Sequence, residues 1–183
     1  MGLQLRKRIM SILRILWPGL WRDLVLNSLV SSSFFPKPLR PYVMRAYGMN
    51  VGRCSISPSV WFGSARISIG DGTFVNYNCM FNTTARVVIG SNCDIGMGVL
   101  FVTSSHELNG SQRRAGQPYA EEIIVGDGVW IGARATILPG ARIGNGVVIA
   151  AGAVVRGNIE SDAIYAGVPA RLIKKLSVTR GGA

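Results

Sequence analysis

The only imidazole among the 183 residues is His106, within Thr103-Ser104-Ser105-His106-Glu107 at the start of a polar stretch that runs to Glu121-Glu122. An imidazole titrates near neutral pH, so one such group can take a proton from an attacking hydroxyl and return it to a leaving group. Taken alone, a single His is more often a structural or solvated residue than a catalytic one. Ser104, Ser105 and the three cysteines Cys54, Cys79 and Cys93 are the candidate covalent nucleophiles. Covalent catalysis by any of them calls for an adjacent base, and no second His exists to serve. The cysteines form no CxxC and cannot all pair within one chain, so they indicate neither a disulfide framework nor a thiolate zinc site. They read as reduced residues of a cytoplasmic protein.

The elements that must position His106 are written in a six-residue period. From Val125-Gly126 the pattern continues through Ile131-Gly132, Ile137-Leu138, Ile143-Gly144, Ile149-Ala150 and Val155-Arg156. The same register appears upstream at Ile89-Gly90, Ile95-Gly96 and Phe101, and one shifted by two runs through Val51-Gly52, Ile69-Gly70, Val75, Phe81 and Val87. A fixed period of six is too long for a helical turn and too regular for hairpins; it suits a parallel β-helix with triangular coils, each hexad giving one side and one corner. The aliphatic residue points inward and stacks on its equivalent one coil away, and the small residue after it occupies a crowded turn. Residues 51–160, less the polar stretch, predict roughly five coils. The polar stretch, residues 103–122, interrupts the hexads while the register on either side agrees. It therefore reads as a loop expelled from a rigid scaffold, a favoured place for chemistry.

The chain carries a net charge of +11. Nine basic side chains against Asp23 alone give residues 1–53 a charge of +8, leaving +3 for residues 54–183. Basic character concentrated at one end suits an anionic membrane surface or an acidic partner; no nucleic-acid motif or interleaved aromatic platform accompanies it. Ile9, Ile12, Leu13, Leu16 and Leu20 follow helical spacing opposite Arg6, Lys7 and Arg14. This predicts a basic amphipathic helix broken near Pro18. Two readings of it stay open: a cap over the end of the main domain, or a peripheral membrane contact through residues 1–30. Arg14 and Pro18 interrupt the apolar stretch, so neither a signal peptide nor a membrane span is expected. Three prolines at 36, 38 and 41 predict extended chain after Phe34-Phe35. The expected organisation is a helical or extended segment over 1–50, a β-helix over 51–176 with its loop at 103–122, and a flexible tail at 177–183.

Residues 51 to about 176 resemble the hexapeptide-repeat acyltransferases. The resemblance rests on Val129-Trp130-Ile131-Gly132, Leu138-Pro139-Gly140, Ala151-Gly152 and Ala166-Gly167-Val168-Pro169-Ala170-Arg171, and the nearest branch looks like the galactoside, maltose and polysaccharide O-acetyltransferases. It implies a mainly β fold, a left-handed parallel β-helix, assembled as a homotrimer with active sites between subunits. It also implies acetyl-CoA as co-substrate, and His106 falls on the family's catalytic histidine. By ungapped matching, Asn76 falls on a position that contacts the acceptor and acetyl end, Trp130 on the Trp that walls the reaction pocket, with corner packing its other reading, and the backbones of Ala133 and Ala151 on the pantetheine corridor. The Ala133 N–H is then placed to receive an oxyanion. Arg171 and Lys174 fall near the coenzyme phosphates.

Two departures qualify this transfer. Arg156-Gly157 falls on a coenzyme-contacting pair that the family usually fills with Thr and Lys, and Asn82-Thr83-Thr84 has no carboxylate where sugar-acetylating relatives place one. With one His, the three zinc ligands of the related carbonic-anhydrase β-helices are not available, and no metal is expected. The resemblance thus implies O-acetylation of a saccharide or saccharide-linked intermediate in surface polysaccharide assembly, expected in the cytoplasm or at the inner face of the membrane. Serine or drug and amino-sugar acetylation, and a non-catalytic scaffold, remain the alternatives.

Overall fold

The computed structural model describes residues 19–177. Parallel strands of two to four residues wind into a triangular prism. Its first face carries Asn50–Val51, Ile67–Ile69, Val87–Ile89, Ile123–Val125, Arg142–Ile143 and Asn158–Ile159. The second carries Ser55–Ile56, Phe74–Val75, Asp94–Ile95, Trp130–Ile131, Val148–Ile149 and Ala163–Ala166. The third carries Trp61–Phe62, Met80–Asn82, Leu100–Val102, Thr136–Ile137 and Val154–Val155. Six strands on two faces make about six coils rather than five. The extra turn lies at the C-terminal end, where Ala163–Ala166 still pairs in parallel with Val148–Ile149 although the hexad has faded.

The hexad is a packing rule. Val51, Ile69, Ile89, Val125, Ile143 and Ile159 form one buried column, and Ile56, Val75, Ile95, Ile131, Ile149 and Tyr165 a second. In the third column Phe62, Phe81 and Phe101 stack, with centroids 5.3 and 4.7 Å apart and rings within 8° of parallel. The small residue that follows each aliphatic is required by the next coil. A Cβ on Gly70 would stand 2.6 Å from the Gly90 carbonyl carbon, and one on Gly132 would stand 2.5 Å from the Ala151 nitrogen.

Both ends of the prism are covered. Residues Asp23–Val30 form a wide-turn helix, Lys37–Leu39 a 3-10 turn and Arg40–Ala46 an α-helix. Leu26, Met44 and Met49 enter the core. The Asn27 side chain imitates a neighbouring strand: its amide donates to the Phe62 carbonyl at 3.1 Å and its oxygen accepts the Phe62 N–H at 2.9 Å. Arg40, only 1 % exposed, donates to the carbonyls of Ile56, Ser32 and Phe35. The extended chain expected from the prolines is confined to Pro36, because Pro38 and Pro41 occupy first-turn positions where a missing N–H costs nothing. The amphipathic pattern Ile9–Leu16 lies outside the described residues. At the other end Arg171–Lys175 folds back antiparallel on Ala163–Ala166. No described helix is long and apolar enough to cross a membrane.

Candidate active site

The polar interruption is an ordered hairpin in which Ser104–Leu108 pairs antiparallel with Ala115–Ala120. Its base is clamped. Glu121 N–H donates to the Thr103 carbonyl at 2.8 Å, and the buried Thr103 hydroxyl donates to the Asn82 carbonyl while accepting the Ala85 N–H. The hairpin thus leaves the corner between the third and first faces, and the chain re-enters the coil at Ile123 in register with Val87.

His106 lies on the outgoing strand opposite Pro118, exposed. Its Nδ1 is 3.0 Å from the Gly116 carbonyl oxygen. A carbonyl only accepts, so Nδ1 carries the hydrogen and Nε2 is left as the acceptor nitrogen. The partner that orients the ring is therefore main chain, supplied by the returning strand, and not the adjacent Glu107.

The other candidates fall into two places. On the second face Phe74, Asp94 and Trp130 are in direct register on successive strands. With Asn76, Ile95 and Gly96 they line a cleft of about 300 Å³. Ala133 and Ala151 follow at the corner between the second and third faces, and Arg171 and Lys174 lie on the strand that extends the second face. His106 belongs to the opposite corner, as do Arg156 and Gly157, which follow the third-face strand Val154–Val155. One chain therefore brings Asn76 and Trp130 together but holds the corner that bears His106 across the prism from their face.

The two corners flanking the second face differ in how their backbone is satisfied. Where the first face turns into the second, side chains from the next coil accept the corner N–H groups: Asp71 from Arg53 at 2.7 Å, Asp127 from Ser91 at 2.7 Å, Asn145 from Asp127 at 2.9 Å and Ser161 from Asn145 at 3.0 Å. At the equivalent positions of the next corner stand Met97, Ala133 and Ala151, whose N–H groups have no acceptor among the described residues. A row of free donors on a rigid edge suits a ligand rich in carbonyls and amides. Arg134 in this row adopts φ +59°, where the coils on either side use Gly98 and Gly152. A side chain in this left-handed region costs about 1–2 kcal/mol.

Asn82, Thr83 and Thr84 are engaged with one another and with neighbouring coils. The Thr84 hydroxyl donates to Asn82 Oδ1 at 3.1 Å, Thr83 meets Ser64 at 2.8 Å, and Asn82 Oδ1 also accepts from Ser104. The missing carboxylate is thus replaced by a corner ladder. Sequence reading overlooked Asp94. A corner acid such as Asp71 or Asp127 looks the same in the chain, and only the coil register sets Asp94 between two aromatic rings. The free corner N–H groups left no sequence signal beyond the small side chains at 133 and 151. Among the described residues no group of three His, Cys, Asp or Glu is placed to hold a metal ion.

Known proteins agree with this architecture. Residues 122–157 match the model of the bacterial transferase hexapeptide family, a six-repeat pattern. A hexapeptide-repeat acetyltransferase of Vibrio cholerae, solved with acetyl coenzyme A, is 30 % identical, covers 86 % of each chain and superposes with a TM-score of 0.77. The chain belongs to the hexapeptide-repeat acyltransferases. Within that family, a galactoside acetyltransferase solved with coenzyme A is 29 % identical, with a TM-score of 0.76 over 86 % of this chain and 82 % of that one. The galactoside O-acetyltransferase of Escherichia coli is 33 % identical over 123 residues, which are 67 % of this chain and 61 % of that protein. The matched stretch spans 53 to 61 % of the first curated relatives.

Proposed function

We propose that the protein is an acetyl-CoA-dependent O-acetyltransferase that acts on a hydroxyl of a saccharide or saccharide-linked intermediate in surface polysaccharide assembly, with His106 as general base. The observation that carries this reading is the bond from His106 Nδ1 to the Gly116 carbonyl, which fixes the tautomer with Nε2 as the acceptor of a proton. The named activities of the galactoside relatives support acetyl-CoA and a sugar as the reacting pair.

In the step proposed, His106 Nε2 takes the proton of the acceptor hydroxyl as its oxygen attacks the thioester carbonyl carbon. The Ala133 N–H donates to the oxygen that becomes negative. When the C–S bond breaks, the imidazolium returns the proton to the departing sulfur, so the residue ends as it began. Arg171 and Lys174, both exposed at the end of the second face, serve the coenzyme phosphates, with Arg156 standing in for the usual pair at 156 and 157.

A site so divided is completed between chains. The hairpin of one protomer meets the second face of the next in a homotrimer. Supporting this, Tyr77, Met80, Met97, Leu100 and Trp130 form an exposed apolar strip beside the corner with the free N–H groups, and Leu108 on the hairpin is 92 % exposed.

The test is thiol release from acetyl-CoA across sugars, nucleotide sugars, serine and aminoglycosides, and lipid-linked saccharides in anionic vesicles. The last arm probes the basic N-terminal segment. His106→Ala should lower turnover on the order of 10²–10⁴-fold while coenzyme A still binds. Activity that survives the substitution removes His106 from the mechanism, and a native protein that binds no coenzyme A would be a scaffold.

A further inference from the structure

Asp94 is an acid that the fold does not use. Asp71, Asp127, Glu122, Glu160 and Asp23 are each engaged by an arginine, a lysine or a corner N–H. The Asp94 carboxylate, like those of Glu107, Glu121 and Asp162, has no cation or donor among the described residues. It points from the second face, with Phe74 one strand before it and Trp130 one strand after, in direct register. Adjacent strands lie about 4.8 Å apart, so the carboxylate sits between two rings in the cleft of about 300 Å³ that they share with Asn76. The Asn76 oxygen is committed to the Tyr77 N–H at 2.8 Å, so the amide offers its NH2 to the cleft.

We propose that Asp94 is the residue that selects the acceptor, its two carboxylate oxygens accepting hydrogen bonds from neighbouring hydroxyls of a saccharide. The aromatic rings supply apolar surface for the C–H face of a sugar ring, and the Asn76 amide donates to an oxygen that the carboxylate cannot bind. This rests on the O-acetylation reading above and makes it more specific: the carboxylate absent at Asn82-Thr83-Thr84 is supplied from another coil and another face. A charged partner makes each such hydrogen bond one of the stronger kind.

The experiment compares native protein, Asp94→Asn and Asp94→Glu by steady-state kinetics with the best acceptor and with its deoxy analogues. Saturation-transfer NMR of saccharide binding runs in parallel and needs no turnover. Asp94→Asn should raise the acceptor KM roughly tenfold to a hundredfold, leave the acetyl-CoA KM near native, and be partly rescued by Asp94→Glu. Removing the contacted hydroxyl from the acceptor should weaken binding to the native protein but not to Asp94→Asn. An unchanged acceptor KM and unchanged saccharide binding in Asp94→Asn overturn the proposal while leaving acetyl transfer intact. So does an acceptor that loses binding only when an amine is removed, which would make the group recognised an ammonium. If the native protein transfers nothing but its saccharide binding depends on Asp94, the transferase reading fails and Asp94 stands.

Discussion

At the scale of single residues, burial divides reactive groups from inert ones. Desolvation pushes the Cys54 and Cys79 thiols up to about 11, and it raises Cys93 as well. At pH 8 roughly one thiol in a thousand at a pKa of 11 is thiolate, the form that reacts. Native protein should therefore react with a disulfide reagent at least on the order of a hundredfold more slowly than denatured protein; rapid stoichiometric labelling of a cysteine in the native state would show that this burial is wrong and reopen a thiol nucleophile. His106 could be singled out from the sequence because it is the only imidazole and lies off the hexad. Its partner could not, since the Gly116 carbonyl is ten residues away and reaches it only through the hairpin register. Asp94 was hidden for the same reason: Phe74 and Trp130 are 20 and 36 residues distant and become neighbours only when the coils stack.

At the scale of elements, stability depends on how closely successive coils approach. A methyl group at Gly70 meets the backbone of the next coil at 2.6 Å, whereas one at Gly110 meets nothing within 4 Å. Gly70→Ala should cost about 1–3 kcal/mol of unfolding free energy and Gly110→Ala almost nothing, a contrast that denaturant melts of the two variants measure. Equal melts would mean that the coils are looser than the register requires. The coil was legible because the physical constraint, one inward side chain and one crowded corner per hexad, is local and repeats. The conformation of the segment around the prolines was not, because Pro36, Pro38 and Pro41 are compatible with both extended chain and helix starts. What decides between them is tertiary: Arg40 must reach the carbonyls of Ile56, Ser32 and Phe35.

At the scale of the whole molecule, the prism separates His106, the base in the proposed reaction, from the cleft that the proposal has it serve. The hairpin that bears His106 leaves the corner opposite the face that bears Asn76, Asp94 and Trp130. On the proposed reading a working site needs two chains, which a closed ring of identical subunits would supply in every interface. The most direct measurement is subunit complementation: His106→Ala and Trp130→Ala chains are purified separately, dissociated, mixed in equal amounts and reassembled, and acetyl transfer is compared with each variant alone. Sites between chains predict recovery of about a quarter of native activity, the fraction of interfaces that pair an intact hairpin with an intact face. Activity no higher than the average of the two variants would place His106 and Trp130 in one chain's site and contradict the account.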